Sequence, residues 1–376
     1  MEPKIKREII RARQALWGLA ERSGQERRTQ AWIRDFLQTR TDLQVVDRGT
    51  WLYARHDEGA GQTVVVRADH DAVPVGQEAR HLCGHDGHTA ALLGLACLLR
   101  CRTLGKNVIL LFQHAEETGF GAPACCELFA LEGLTRENTR MIGCHNIPGE
   151  PLGTVLLRRG TFACASCGVE IGLTGHPTHA AYPENGLNPT GAAARLALKI
   201  PAIAAETGRE FDCMALATIV GMRTGDRAFG VAAAEGKLWV TLRAEKAAAF
   251  EALNRRVDAA VRREAEAEAL GWSLDREDLF PATENDPALL ADLERICAEA
   301  GLPYKYLDVP FRWSEDFGHY GRYVPACFFG VGSGPETAPC TRRATATPTP
   351  WPRSPRRFSS GSSRGEFENC ALRIES

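Results

Sequence analysis

The runs TVVVRAD at residues 63–69 and VILLFQHAEE at residues 108–117 decide the fold of this chain. Each is a short apolar stretch that ends in carboxylates, the pattern of a buried strand. Between them, CGHDGH at residues 83–88 places a thiol, two imidazoles and a carboxylate within six residues. In an open α/β sheet, ligands collect beyond the carboxyl ends of the strands. We therefore expect these three segments to meet at one edge of a sheet.

The segment CGHDGH is the best candidate for a metal site. Thiolate and imidazole are natural ligands of zinc, and a tight turn can send Cys83 and His85 to the same side. A further imidazole, His145, ends a predicted strand at residues 141–145. Taken singly, a buried Cys or His is more often a core residue than a ligand, so the prediction depends on the neighbouring segments.

Adjacent carboxylates follow the second apolar run. Glu116 and Glu117 lie on what we interpret as an extended segment, where neighbouring side chains point to opposite sides. One carboxylate can then bind a metal while the other faces a bound water as general base. The implied chemistry is hydrolysis of an amide or an ester. A solvated charge pair at a strand end is the structural alternative for Glu-Glu alone.

Composition argues against nucleic acid and membrane as partners. The 376 residues carry a formal net charge of −2, and no basic stripe with interleaved aromatics occurs. No apolar run reaches membrane-spanning length, and residues 1–8 are charged and lack the apolar core of a signal peptide. We expect a cytoplasmic protein.

The order of predicted elements indicates an α/β fold with an inserted α+β domain. Strands are predicted at 44–47, 50–55, 63–68, 108–113, 141–145 and 326–331, and helices within 4–38 and at 89–100, 121–133 and 288–299. This alternation is typical of a mostly parallel sheet. Between these parts, strands at 164–173, 213–220, 237–243 and 272–275 and helices at 188–205 and 247–268 predict a ferredoxin-like arrangement. The predicted domains are a catalytic domain of 1–160 and 279–339, an insertion of 161–278, and a tail of 340–376.

Six motifs, in this order along the chain, resemble those of the metal-dependent amidohydrolases related to aminoacylase. The branch with hippurate hydrolase and the indoleacetyl-amino-acid hydrolases is the most similar. The motifs are RADHDAVP at 67–74, CGHDGHT at 83–89, the pair Glu116-Glu117, HNIPG at 145–149, GHPTHAA at 175–181 and SEDFG at 314–318. Their spread over the chain makes the resemblance specific.

The resemblance implies a zinc-peptidase-like catalytic domain, an inserted dimerisation domain, and two divalent metal ions, zinc or manganese, in each subunit. The metal ligands it implies are Cys83, His85, Glu117 and His145. It implies that Glu116 is the general base and that Asp69 orients a ligand. His179, in the insertion, would reach a neighbouring active site and stabilise the oxyanion, which implies a homodimer. His70 stands where the family has an apolar residue, and His88 and His176 are expected to be structural.

The end of the chain departs from the family. The last metal ligand of the family is a His followed by a closing helix, but no His occurs after His319, and residues 340–376 have no apolar periodicity and are predicted to be disordered. With a suitable choice of codons from Cys340 onward, the frame that starts one base earlier reads LHTPGYGYPDALAAVA, which resembles the missing ending. We hypothesise a frame shift after Pro339. The second metal site is therefore doubtful in this chain.

These observations favour a metal-dependent hydrolase that cleaves the amide bond of N-acetyl or N-aroyl amino acids. A dipeptidase or carboxypeptidase of the same superfamily is an alternative. A catalytically impaired, metal-binding dimeric remnant is a third reading, and only the altered ending favours it. The residues do not identify the acyl group or the amino acid.

Overall fold

In the computed structural model, residues 3–335 are described, and they form two compact units. Within the described residues, unit 1 comprises 3–162, 284–309 and 316–335, and unit 2 comprises 163–283 and 310–315. The predicted catalytic domain corresponds in position to unit 1 and the predicted insertion, 161–278, to most of unit 2. Residues 336–376, which include Cys340 and the predicted tail, lie outside the described part of the chain.

Unit 1 is built on an eight-stranded sheet in the order β1-β2-β6-β3-β7-β18-β8-β17. Its elements, with four short strands outside that sheet, are α1 (Pro3–Gly18), α2 (Arg27–Arg40), β1 (Gln44–Asp47), β2 (Leu52–His56), β3 (Thr63–Asp69), β4 (Val73–Val75), β5 (Glu78–Arg80), α3 (His85–Leu99), β6 (Asn107–Gln113), α4 (Gly121–Cys125), α5 (Glu127–Leu131), β7 (Thr139–Ile147), β8 (Val155–Leu157), β9 (Gly160–Ala163), β16 (Thr283–Asn285), α8 (Pro287–Glu299), β17 (Tyr304–Tyr306) and β18 (Ala326–Gly332). Four of the seven pairings are parallel, among them β6 with β3 and β3 with β7. The prediction of a mostly parallel α/β sheet is confirmed.

Strands β3, β6 and β7 are apolar on both faces because both faces are covered. On one face, α1, α2 and α3 pack through residues such as Leu16, Leu37 and Leu93 against Leu110 and Phe112. On the other face the sheet is approached closely by aromatic rings. A Cβ at Gly143 would lie 2.6 Å from Phe317 and 2.8 Å from Phe328, so only glycine fits there.

Unit 2 is a ferredoxin-like α+β fold, as predicted. Its elements are β10 (Ala165–Thr174), β11 (Thr178–His179), α6 (Thr190–Phe211), β12 (Ala215–Thr224), β13 (Val231–Ala232), β14 (Glu235–Ala244), α7 (Ala247–Ala267) and β15 (Gly271–Phe280). The four long strands form an antiparallel sheet in the order β12-β14-β10-β15. Helices α6 and α7 bury an aliphatic core against it, with Leu196, Ile200, Leu238, Leu242 and Val257 fully enclosed.

Two local predictions were wrong. The helix predicted from Thr89 begins at His85, and the helix predicted at 121–133 is two five-residue helices, α4 and α5. Within the described residues, no helix combines the length and the apolar composition that crossing a bilayer requires.

Candidate metal centre and active site

The carboxyl ends of three neighbouring parallel strands carry the predicted site residues of unit 1. β3 ends at Asp69, the loop after β6 carries Glu116 and Glu117, and His145 lies near the end of β7. Because β6, β3 and β7 are adjacent and parallel, these side chains come to one edge of the sheet.

The N-terminus of α3 brings Cys83 and His85 to the same edge. Gly84, the residue before the helix, has φ +98°, and a Cβ there would lie 2.3 Å from the side-chain oxygen of Asn146. Glycine is therefore required between the two candidate ligands by both backbone conformation and space. Since α3 begins at His85, His88 stands in its first turn beside that residue.

Three of the predicted ligands form one compact donor set. Ligand atoms of Cys83, His85 and Glu117 all lie within 4.8 Å of one another. His85 Nε2 is 3.8 Å from Glu117 Oε1, and neither atom has a hydrogen-bond partner within the described residues although both are buried. A buried polar atom without a partner is costly, and two that converge with a thiol fit a bound cation. The thiolate, imidazole and carboxylate oxygen of this set are the donors that zinc takes.

His145 lies next to this donor set without belonging to it. Its ring centroid is 6.0 Å from that of His85 and 4.6 Å from that of His88. Nδ1 donates to the backbone carbonyl of Asn146 at 2.7 Å, which fixes the tautomer. Burial lowers the pKa of His145 to about 3, so the ring is neutral, the form in which imidazole binds metal.

Asp71, for which the sequence predicted no role, holds two of the candidate ligands in place. Its Oδ1 accepts from His85 Nδ1 at 2.9 Å, and its Oδ2 accepts from the backbone N–H of Glu117 at 3.0 Å. Burial alone would lower the pKa of His85, but the carboxylates of Asp69 and Asp71 outweigh it and raise that pKa well above its usual value. The same negative field attracts a cation. The only signal in the sequence is a second carboxylate in the motif RADHDAVP.

Asp69, expected to orient a metal ligand, bonds most closely to other groups. Its Oδ1 is 2.6 Å from His88 Nδ1, and its Oδ2 accepts from Arg67 Nη1 at 2.7 Å, while His85 Nε2 is 3.8 Å away. Burial favours the neutral acid, yet His85 and Arg67 outweigh it and hold the pKa of Asp69 well below its usual range. His88 in turn reaches the side-chain oxygen of Asn146 at 2.8 Å.

Arg67 also links the edge of the sheet to a buried network that was not predicted from the sequence. Its guanidinium donates to Gln113 at 2.7 Å and to Asp316 at 2.8 Å, and Gln113 donates to both oxygens of Asp316. The backbone N–H of Asp316 points at Glu116 Oε1 at 3.5 Å. All of these side chains are nearly or fully buried, so the network holds the residues beneath the site in fixed positions.

Glu116 stands beside the donor set. It is 6% exposed, and its Oε2 is 3.9 Å from His85 Nε2. Glu116 and Glu117 lie in a turn, not on the extended segment that was predicted, and Ala115 before them has φ +48°. Both carboxylates approach His85 Nε2, Glu117 at 3.8 Å and Glu116 at 3.9 Å, but only Glu117 falls in the group with Cys83 and His85.

His179 belongs to unit 2 and is exposed on the short strand β11, opposite Val231 of β13. Its Nδ1 accepts from the backbone N–H of Ala181 at 3.1 Å, and its ring lies 5.9 Å from that of Tyr182.

His70, the residue that departs from the family pattern, is fully buried. Neither ring nitrogen has a hydrogen-bond partner within the described residues, and burial lowers its pKa to about 3. The imidazole is therefore neutral and fills space that an apolar side chain could fill.

Comparison with known proteins identifies the family of this chain. The profile of Peptidase family M20/M25/M40 matches residues 65–344, and the chain belongs to that family. It is a hydrolase, and it resembles amidohydrolases in particular. N-acetyl-L-cysteine deacetylase of Bacillus subtilis is 28% identical over 88% of this chain and 81% of that protein. IAA-amino acid hydrolase ILR1-like 5 of Arabidopsis thaliana is 30% identical over 73% of this chain and 66% of that protein.

Solved structures share the fold. A putative aminohydrolase of methicillin-resistant Staphylococcus aureus has a TM-score of 0.82 at 20% identity, covering 99% of this chain and 96% of that one. The YXEP protein of Bacillus subtilis, described as a dinuclear metal binding peptidase from the M20 family, has a TM-score of 0.75 at 22% identity, covering 99% and 98%.

Proposed function

We propose that this chain hydrolyses the amide bond of N-acyl amino acids, with N-acetyl or N-aroyl groups, at the edge of the unit 1 sheet. The observation that carries the proposal is the compact set of Cys83, His85 and Glu117, in which the buried atoms His85 Nε2 and Glu117 Oε1 have no hydrogen-bond partner within the described residues. A general base stands next to it in Glu116. The deacetylase and hydrolase relatives act on substrates of this class by their names.

Cys83, His85, Glu117 and His145 would hold the metal. A divalent ion in this position lowers the pKa of a water molecule toward neutrality and polarises a carbonyl group. Glu116 would take the proton of the attacking water and pass it to the leaving amine. During this proton transfer, the two hydrogen bonds of Asp71 would hold the His85 ring and the Glu117 backbone in position.

The thiolate favours zinc, and manganese is the alternative that carboxylate ligands allow. We propose two ions per subunit for the intact family site. The second depends on a ligand that the family places after the last strand, and that stretch lies outside the described residues.

The finer assignments belong to the same proposal. His179 would donate to the developing oxyanion in the site of a second copy, which requires a homodimer. Edge strand β12 supports such a contact, because Val220 and Met222 on it are 67% and 48% exposed. A cytoplasmic location remains a prediction. Light scattering of the purified protein tests the dimer, and a monomer at working concentration would contradict it.

Hydrolysis of a small panel tests the proposed function. The metal-supplemented chain is assayed with hippurate, N-acetyl amino acids and a dipeptide, beside a version with the reading frame restored after Pro339. We expect N-acyl amino acids to be cleaved, a chelator to abolish cleavage, and the restored version to be faster. Cleavage of the dipeptide alone would favour the peptidase alternative. If neither version cleaves any substrate while both bind zinc, the proposed substrate class is wrong.

A further inference from the structure

The turn that carries Glu116 and Glu117 is held in an unfavourable backbone conformation. Ala115 has φ +48°, in the left-handed region that residues with a side chain seldom adopt, and it is 2% exposed. Such a conformation persists only where surrounding contacts impose it. Because Ala115 precedes the two carboxylates, its dihedral angles set the direction in which both leave β6.

The carbonyl of Ala115 accepts from Gly121 at 3.0 Å within the turn, but its N–H is bound by a distant part of the chain. Glu26 stands immediately before α2, but its side chain does not cap that helix. Instead, its Oε1 accepts the backbone N–H of Ala115 at 2.9 Å and that of Gly24 at 2.7 Å. Glu26 is 4% exposed, so these two bonds form away from solvent.

The same loop between α1 and α2 makes a second connection to the site. Ser23 Oγ donates to Asp71 Oδ2 at 2.9 Å, the oxygen that also accepts the N–H of Glu117. Ser23 lies 3.1 Å from Thr118 Oγ1 as well. The loop therefore contacts the turn on both sides of the two carboxylates.

We propose that Glu26 is a positioning residue for the hydrolytic centre: its carboxylate holds Ala115 in the left-handed conformation and thereby aims Glu116 and Glu117. The proposal deepens the function proposed above and rests on it. In this proposal Glu26 is not a metal ligand and acts through the backbone of the turn.

Burying an ionised carboxylate at position 26 costs free energy. Burial raises the pKa of Glu26 to about 7, against the two N–H groups that lower it. A residue that served only to fill space would be apolar. The two donors need an acceptor, and the amide oxygen of glutamine is the nearest uncharged substitute.

Zinc affinity, measured by calorimetric titration of the full chain, tests the proposal. Glu26→Ala should weaken zinc binding by about 10- to 100-fold, the range for partners that support metal ligands, while Glu26→Gln should retain most of it. The decisive variant is Glu26→Ala combined with Ala115→Gly. Glycine adopts positive φ without the hydrogen bond to Glu26, so the double variant should recover most of the zinc affinity that the single variant loses.

Glu21 supplies the matched control. It lies in the same loop, and its carboxylate accepts the N–H of Thr29 at 2.8 Å within α2. Glu21→Ala should lower thermal stability and leave zinc affinity unchanged. If Glu26→Ala does not fold, Glu26→Asp, which withdraws the carboxylate by one methylene, takes its place in both backgrounds.

Two results would overturn the proposal: unchanged zinc affinity in the Glu26 variant, or no recovery on adding Ala115→Gly. The rate of amide hydrogen exchange in the peptide that contains Ala115 distinguishes a failure of the Glu26 proposal from a failure of the proposed hydrolase function, because it does not depend on zinc binding. If the wild type bound no zinc, the hydrolase proposal would fail. Faster exchange in Glu26→Ala would still support the clamp on Ala115, and unchanged exchange would refute it.

Discussion

The carboxyl edge of the unit 1 sheet and the sheet of unit 2 use buried space in opposite ways. The first encloses Asp69, Asp71, His85 and Glu116, with an alanine in the left-handed region beside them. The second encloses an aliphatic core. Because buried charge costs free energy unless it is compensated, the first region is built for chemistry and the second for stability.

The largest effect should come from Glu116→Gln. Loss of the general base should lower kcat/KM by about 10²- to 10⁴-fold, while the melting temperature stays the same or rises, because a buried carboxylate is neutralised. Glu264→Gln is the matched change in unit 2, where Glu264 is 6% exposed and pairs with Arg195 at 2.7 Å. It should cost about 1–3 kcal/mol of stability and no activity. Steady-state kinetics and thermal melting of both variants measure these effects. A loss of stability without loss of activity in Glu116→Gln, or the reverse in Glu264→Gln, would contradict the comparison of the two regions.

A cavity in unit 2 should act on stability alone. Leu242 is fully buried between the sheet and its helices, and Leu242→Ala should lower the free energy of unfolding by about 2–5 kcal/mol. Turnover per folded molecule and zinc affinity should not change. Urea unfolding followed by fluorescence, with kinetics at low temperature, measures both. A loss of zinc affinity in this variant would show that the two regions are not separate in their roles.

Glu26 should make stability depend on pH in a defined direction. Its pKa is raised by burial from 4.5 to about 7 in the folded state, so the folded state binds more protons between these values. The contribution is fully present below about pH 4.5 and is lost as the pH rises through 7, by up to about 3 kcal/mol. Comparing urea unfolding at pH 5 and pH 8, we expect a smaller decrease in Glu26→Gln than in the wild type. Equal decreases would mean that Glu26 is not the titrating group.

The smallest effect should come from a surface pair in unit 1. Arg295 and Glu299 lie one turn apart on α8 at 2.9 Å, and both are exposed. Arg295→Ala should change the free energy of unfolding by less than about 0.5 kcal/mol and leave activity intact. A larger change in urea unfolding would indicate a role for α8 that its solvent-exposed face does not suggest.

Apolar runs made most of the fold predictable. Strand β3 and strand β6 were placed within one residue of their observed ends, and the alternation of elements indicated both the parallel sheet and the ferredoxin-like unit. The start of α3 was missed because Gly84 and Asp86 resemble turn residues. Helices α4 and α5 were merged because a break between two short helices leaves the apolar pattern almost unchanged.

At the site, residue types predicted the candidate metal ligands, but the sequence did not predict the long-range contacts that support them. Cys83, His85 and Glu117 were predicted together, and the structure brings them together. Nothing in the sequence connects Glu26 with Ala115, which is 89 residues away, or Arg67 with Asp316. Alanine carries no signal for positive φ, so the turn at Glu116 was taken for an extended segment. Such contacts follow from the packed fold, which periodicity does not specify in detail.

Cobalt(II) absorption gives the most direct test of the metal centre. A thiolate ligand produces a charge-transfer band that oxygen and nitrogen ligands do not, so the wild-type chain titrated with cobalt should show this band. Cys83→Ser should abolish it, and Cys213→Ser, which changes a half-buried thiol of unit 2, should leave it intact. A band that survives in Cys83→Ser, or no band in the wild type despite cobalt binding, would contradict the assignment of the metal centre to the edge of the unit 1 sheet.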